Sequence, residues 1–216
     1  MKKTELNKIT EVVFILDRSG SMGGLESDTI GGYNSMLEKQ KNSDGSINVT
    51  TVLFDDRVEV LYDNVPLENV KPITDKEYFV RGCTALLDAV GSTIENVGKR
   101  HKDGIRPDKT LFVITTDGLE NASTEFTYKK VKKLIGKKKE KHNWEFLFLG
   151  ANIDAAAEAG RIGINADKAV KFKCDKVGTK LNYEVLANVV SGFASAKCGK
   201  IADNWKQEIE EYCENQ

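Results

Sequence analysis

The chain has 216 residues, 40% hydrophobic and 30% charged, which suits one domain with a sizeable core or one domain carrying an extension. Its 32 Lys and Arg against 33 Asp and Glu leave a formal charge of −1, so no global field favours nucleic acid or a membrane surface. The apolar segment after Lys2 and Lys3 runs only from Val12 to Leu16, too short for a signal peptide, and no window approaches the roughly 20 apolar residues that span a bilayer. A cytoplasmic location is therefore expected.

Strands and helices alternate along the chain. "VVFIL" (12–16), "VTTVLF" (49–54), "TLFVITT" (110–116) and "WEFLFLG" (144–150) carry apolar residues at successive positions, as strands covered on both faces of a parallel sheet do. "AVKFK" (169–173) is a weaker strand. "RVEVLYD" (57–63) instead puts Val58, Val60 and Tyr62 on one face and follows the preceding strand after only Asp55 and Asp56, which predicts an antiparallel hairpin at a sheet edge.

Helical stripes fall between the strands: Ile30, Tyr33, Met36 and Leu37; Leu87, Val90, Ile94 and Val97; Tyr128, Val131, Leu134 and Ile135. Leu181, Val185, Val189 and Phe193 give another, and "ADNWKQEIEEYCE" (202–214) reads as a last helix. The lysines of "YKKVKKLIGKKKEKH" (128–142) read as the solvated face of an amphipathic helix, without interleaved aromatics for stacking bases. Segment 66–82 has no clear period and leads into Thr84, a suitable N-cap for the Leu87 helix. No repeat or linker marks a domain boundary, so a single domain over 1–216 is expected.

Cys83, Cys174, Cys198 and Cys213 form no C-x-x-C pair, and His101 and His142 both sit among lysines, so a zinc site is disfavoured and reduced structural thiols are expected.

Two strands end in acid, at Asp17 of "FILD" and Asp117 of "VITTDG". Ligands of open parallel sheets bind beyond the carboxyl ends of strands where chain order reverses, so neighbouring first and "LFVITT" strands would bring both carboxylates to one crevice. Ser19, Ser21 and Thr84 can join them there, giving five oxygen-bearing side chains suited to Mg²⁺ or Mn²⁺. Residues two apart on a smooth strand stand roughly 6–7 Å apart, so convergence of Asp17, Ser19 and Ser21 requires a turn, for which Gly20, Gly23 and Gly24 are available. Asp88 reads as a solvated carboxylate early in a helix and Glu120 as a solvated surface acid. Asn121 stays open between a turn residue and a group supporting the site.

"DRSGS" (17–21), "GCTAL" (82–86) and "TDG" (116–118) closely resemble the metal-ion-dependent adhesion site, or MIDAS, of von Willebrand factor type A (vWA) domains. The order of elements from about Glu11 to Lys173 matches as well, and "TDGLENAS" resembles the bacterial intracellular branch. The resemblance implies a doubly wound α/β fold: a mostly parallel six-stranded sheet with one antiparallel edge strand and helices on both faces. The domain core would cover about 11–173, with a helical segment of about 178–214 packed on it. It further implies metal ligation by Asp17, Ser19, Ser21, Thr84 and Asp117, with one position left for an Asp or Glu of a protein partner. The family's typical residue before the threonine is small, often glycine; here it is Cys83.

Enzymatic readings fare worse. A phosphoaspartyl hydrolase needs a second Asp two residues after the first, where Ser19 stands; the serine-hydrolase elbow G-x-S-x-G lacks its first glycine at Ser19; and no P-loop run occurs. The expectation is a metal-dependent protein-binding module rather than an enzyme. Mg²⁺-dependent hydrolysis of phosphate esters, or a scaffold with a structural metal, are the alternatives.

Overall fold

The computed structural model describes residues 8–41, 45–196 and 199–215. Cys198 and the Lys2–Lys3 pair lie outside them. Six strands form one sheet: β1 (Ile9–Asp17), β2 (Ser46–Phe54), β3 (Val58–Pro66), β4 (Lys109–Thr116), β5 (Glu145–Ala151) and β6 (Ala169–Phe172). Their spatial order is β3-β2-β1-β4-β5-β6. All neighbours pair in parallel except β2 with β3, the antiparallel edge hairpin expected from the alternation of Val58, Val60 and Tyr62. Chain order reverses between β1 and β4, which pair from Thr10 opposite Lys109 to Leu16 opposite Thr115. Asp17 and Asp117 therefore leave adjacent strands at the same end.

The strands read as continuous apolar runs because both faces are covered. On one face Val12, Phe14 and Leu16 pack against α1 (Glu26–Gln40), α5 (Lys176–Ser195) and α6 (Gln207–Glu214). On the other, Val13 and Ile15 meet α2 (Leu86–Lys102), α3 (Tyr128–His142) and α4 (Ala155–Arg161). The side chains of Val12 to Leu16 are at most 1% exposed, so β1 is the spine of both cores. This is the doubly wound α/β architecture.

Two elements depart from the sequence pattern. The helix expected over 202–214 forms only at Gln207–Glu214, preceded by turns that bury Trp205. Helix α4 gave no stripe, because seven residues of "AAAEAGR" are too few to show one; Asp154 caps it through the Ala157 N–H at 3.0 Å. Cys83, Cys174 and Cys213 are free thiols, and Cys83 is exposed rather than a packed structural thiol. Among the described residues no helix is long and apolar enough to cross a membrane.

Candidate metal centre

β1 ends in a carboxylate that turns the chain. The Ser19 N–H donates to Asp17 Oδ1 at 2.7 Å, reversing the backbone over two residues, and the segment then winds into a single 3₁₀ turn at Gly20–Met22, pinned by the buried side chain of Met22. Of the three glycines here only Gly24 has positive φ, at 91°. Gly20 serves close approach instead: its N–H donates to Gly82 O at 3.1 Å, and a β-carbon there would stand 3.3 Å from that same oxygen. Gly82, at φ 63°, completes the contact that brings segment 82–84 against the turn.

The turn assembles a chain of oxygens. Thr84 Oγ1 donates to Ser19 Oγ at 3.0 Å, Ser19 Oγ and Ser21 Oγ stand 3.0 Å apart, and Ser21 Oγ donates to Asp117 Oδ1 at 2.5 Å. With Asp17 bonded to Ser19, all five side chains singled out in the sequence meet at one point, from three segments up to 100 positions apart. Asp17, Ser19, Thr84 and Asp117 are each no more than 5% exposed.

Electrostatics marks the site as well. Burial pushes the Asp17 carboxyl up to about 6, against hydrogen bonds from Thr116 and Ser19 that favour its charged form, with the Asp117 charge adding to the rise. Burial also raises Asp117, opposed by the Ser21 hydrogen bond. Two buried carboxylates side by side are costly as anions unless a cation shares the site. The donor set fits a small hard dication. Adjacent ligands of an octahedral ion with bonds of about 2.0–2.1 Å lie about 2.9 Å apart, close to the separations of the hydroxyl chain. Among the described residues no group of three or more His, Cys, Asp or Glu could hold a metal, so a centre here rests on hydroxyls as much as on acids.

Several supporting residues were not visible in the sequence, and three expectations need correction. Thr84 does not cap α2: its hydroxyl faces Ser19, and Ala85, whose side chain makes no capping hydrogen bond, stands at the N-cap position. The capping comes from across the fold. Glu120 is no solvated acid: it accepts the Leu87 N–H at 2.8 Å, along with the Ala122 and Ser123 N–H groups. Asp88 is likewise not free in solvent, since its carboxylate accepts the N–H groups of Thr124, Glu125 and Phe126 at 2.7–3.0 Å. Asn121, left open by the sequence, supports the site: Oδ1 accepts the Thr84 N–H at 2.8 Å and its own N–H donates to Thr84 O at 3.0 Å.

Thr116 donates to Asp17 Oδ2 at 2.5 Å, and Tyr78 OH donates to Asp17 O at 2.5 Å. Gly118 leaves room for the cluster, because a β-carbon there would stand 3.0 Å from Thr84 Oγ1 and 3.1 Å from Ser21 Oγ.

Beneath the turn lies a buried ionic network. Arg18, fully buried, donates to Asp55 at 2.9 Å, to Glu59 at 2.7 Å and to the Glu77 carbonyl at 3.1 Å. Arg81 also bonds Asp55, at 2.7 Å, and its N–H reaches Arg18 O at 3.0 Å. Burial alone would raise the Asp55 carboxyl, but hydrogen bonds led by Arg81 hold it below the usual carboxylate range. The network ties the β2–β3 hairpin and segment 77–82 to the turn that carries the serines.

No family model and no curated protein matches the sequence. Solved structures do. The vWF domain of the type V pili tip protein Mfa5 from Porphyromonas gingivalis aligns with TM-score 0.60 at 10% identity, covering 92% of this chain and 99% of that one. A von Willebrand factor type A protein from Catenulispora acidiphila aligns with TM-score 0.59 at 16% identity. The fold is that of a vWA domain. Proximal thread matrix protein 1 from the mussel byssus, solved with a zinc-occupied MIDAS motif, also shares it, with TM-score 0.59 at 15% identity. The vWA fold here spans 86% of this chain against 43% of the Catenulispora structure and 46% of the mussel one, less than half of either. At these identities the likeness concerns the fold alone.

Proposed function

We propose that this chain is a divalent-cation-dependent protein-binding module, in which Asp17, Ser19, Ser21, Thr84 and Asp117 hold Mg²⁺ or Mn²⁺ as a MIDAS does. The observation that carries this reading is the convergence of three hydroxyls and two raised carboxylates, drawn from three segments, at the switch point of the sheet. The zinc-occupied MIDAS of the mussel protein, on the same fold, is consistent with it.

A bound dication would supply Lewis acidity toward one further oxygen. The chain's own residues set what that oxygen is. Two carboxylates neutralise a dication while five donors leave one of six octahedral positions, so a single outside anion such as an Asp or Glu side chain on a partner is attracted without excess charge. Thr116 and the Ser19 N–H fix the Asp17 carboxylate, and Asn121 fixes Thr84, so the donors are held in place before any partner arrives. A cytoplasmic, bacterial setting belongs to the same proposal and rests on the "TDGLENAS" resemblance.

The test is capture from lysate with wild-type and Asp17→Ala bait, both in Mg²⁺. Proteins retained by wild type alone, and released by chelator, are expected. Identical retention by both baits would contradict the reading, as would Asp17-dependent turnover of a phosphomonoester.

A further inference from the structure

At the opposite end of β4 from the oxygen cluster, α2 and α3 finish side by side. Between their last turns and segment 106–110 lies a cleft of about 630 Å³, within the range of small-molecule sites. Its walls carry His101, Lys102, Arg106, Lys138, Lys141 and His142. The one acid among them, Asp108, already accepts the Ile9 N–H at 2.9 Å.

None of Lys102, Arg106, Lys138 and Lys141 forms an ion pair among the described residues. Cations in a last helical turn complement the helix dipole, but two termini supply only about one unit of negative charge between them. Four full positive charges exceed that, and of the two imidazoles only His101 has an acid beside it, Glu11 at 2.8 Å. The crowding is felt: burial and then the neighbouring Lys102 and Lys137 lower the Lys138 ammonium, and burial followed by Lys138, Arg106 and His101 lowers His142.

Lys138 is also accommodated by design of the helix beside it. Its ammonium sits 4.3 Å from the centre of the Trp144 ring, and a β-carbon on Gly98 would stand 2.1 Å from Nζ. Glycine inside α2 costs helix stability relative to alanine, and here its bareness makes room for a half-buried ammonium with no carboxylate partner.

We propose that this cleft is a binding site for a compact polyanion carrying two or more linked phosphoryl groups, with Lys138 at its floor and Lys102, Arg106 and Lys141 around its mouth. A concave pocket with converging cations suits a small oligophosphate better than the extended backbone of a nucleic acid, which needs a groove or stripe. The site is independent of the metal centre.

Calorimetric titration with inorganic triphosphate in chelator-containing buffer tests it, with inorganic phosphate, ATP and a single-stranded oligoribonucleotide as comparison ligands. Saturable one-to-one binding is expected, tighter than for phosphate by at least about tenfold and weakened by salt. ATP binding as triphosphate does would identify nucleotides as one source of the group. Lys138→Gln and Arg106→Gln should each weaken binding roughly tenfold, and Asp17→Ala should not change it. Gly98→Ala, which keeps every charge and favours the helix, should weaken binding severalfold by displacing the ammonium. Absence of saturable binding, wild-type affinity in both Lys138→Gln and Gly98→Ala, or an oligoribonucleotide that binds more tightly than triphosphate would overturn the proposal.

Discussion

The two ends of the sheet hold charge in opposite ways. At the carboxyl ends of β1 and β4, every polar atom singled out is tied to another: hydroxyl to hydroxyl, hydroxyl to carboxylate, and Arg18 beneath them to Asp55 and Glu59. At the amino end of β4, Lys102, Arg106, Lys138 and Lys141 gather without an ion-pair partner among the described residues. The first arrangement is hydrogen-bonded even with nothing bound, although burial leaves its two carboxylates costly as anions without a cation. The second gains only the helix dipoles and the Trp144 ring within the chain, and its excess charge mildly opposes folding through like-charge repulsion. Removing a partner from the bonded network should therefore destabilise, whereas neutralising a charge that lacks a counter-charge, at either end, should stabilise.

The largest effect is expected beneath the metal centre. Arg18→Ala leaves Asp55 buried with one cation fewer and frees Glu59, which should cost about 3 kcal/mol and lower the Tm of a chain this size by about 10 °C, measured by thermal denaturation in chelator. Next comes the Asp17 proton. Its carboxyl titrates near pH 4 in the unfolded chain and at about 6 when folded, so between these values the folded state binds more protons. Stability of the metal-free protein attributable to Asp17 is complete below pH 4 and is lost as pH rises through 6. Relative to wild type, Asp17→Asn should thus gain on the order of 2 kcal/mol between pH 4 and 7, read from paired urea unfolding curves. The smallest effect belongs to the cleft: Lys141→Gln should raise Tm by about 1–2 °C at low salt, and the gain should vanish near 0.5 M salt. A clear destabilisation there would erase the contrast between the two ends.

What could be read from the sequence follows the range of the interactions. The sheet was legible because doubly covered strands must be continuously apolar, and the edge hairpin because one wet face forces alternation. The five oxygen residues were legible because each sits at a strand end or helix start and their types form a motif. Arg18 was not, since a cation beside a Ser-Gly turn reads as surface and its partners lie 37–59 positions away. Glu120 and Asp88 were misjudged for the same reason: each satisfies backbone N–H groups, one at the start of a helix distant in sequence, the other in the segment after β4. Thr84 shows local preference yielding to tertiary context, because a residue suited to cap its own helix turns its hydroxyl to the cluster instead. The cleft was hidden by periodicity itself, which explains the lysines of α3 as a solvated face and carries no hint that Gly98 of another helix makes space for one of them.

The central claim is that these oxygens, remote along the polypeptide, form a seat for a dication, and thermal melting of chelator-stripped protein across an Mg²⁺ or Mn²⁺ titration tests it most directly. For a Kd of about 1 mM, about 10 mM metal should stabilise wild type by roughly 1.4 kcal/mol, a Tm rise of about 3–6 °C, and should leave Asp17→Ala unmoved. Superimposable shifts for the two proteins, or none in wild type, would contradict it.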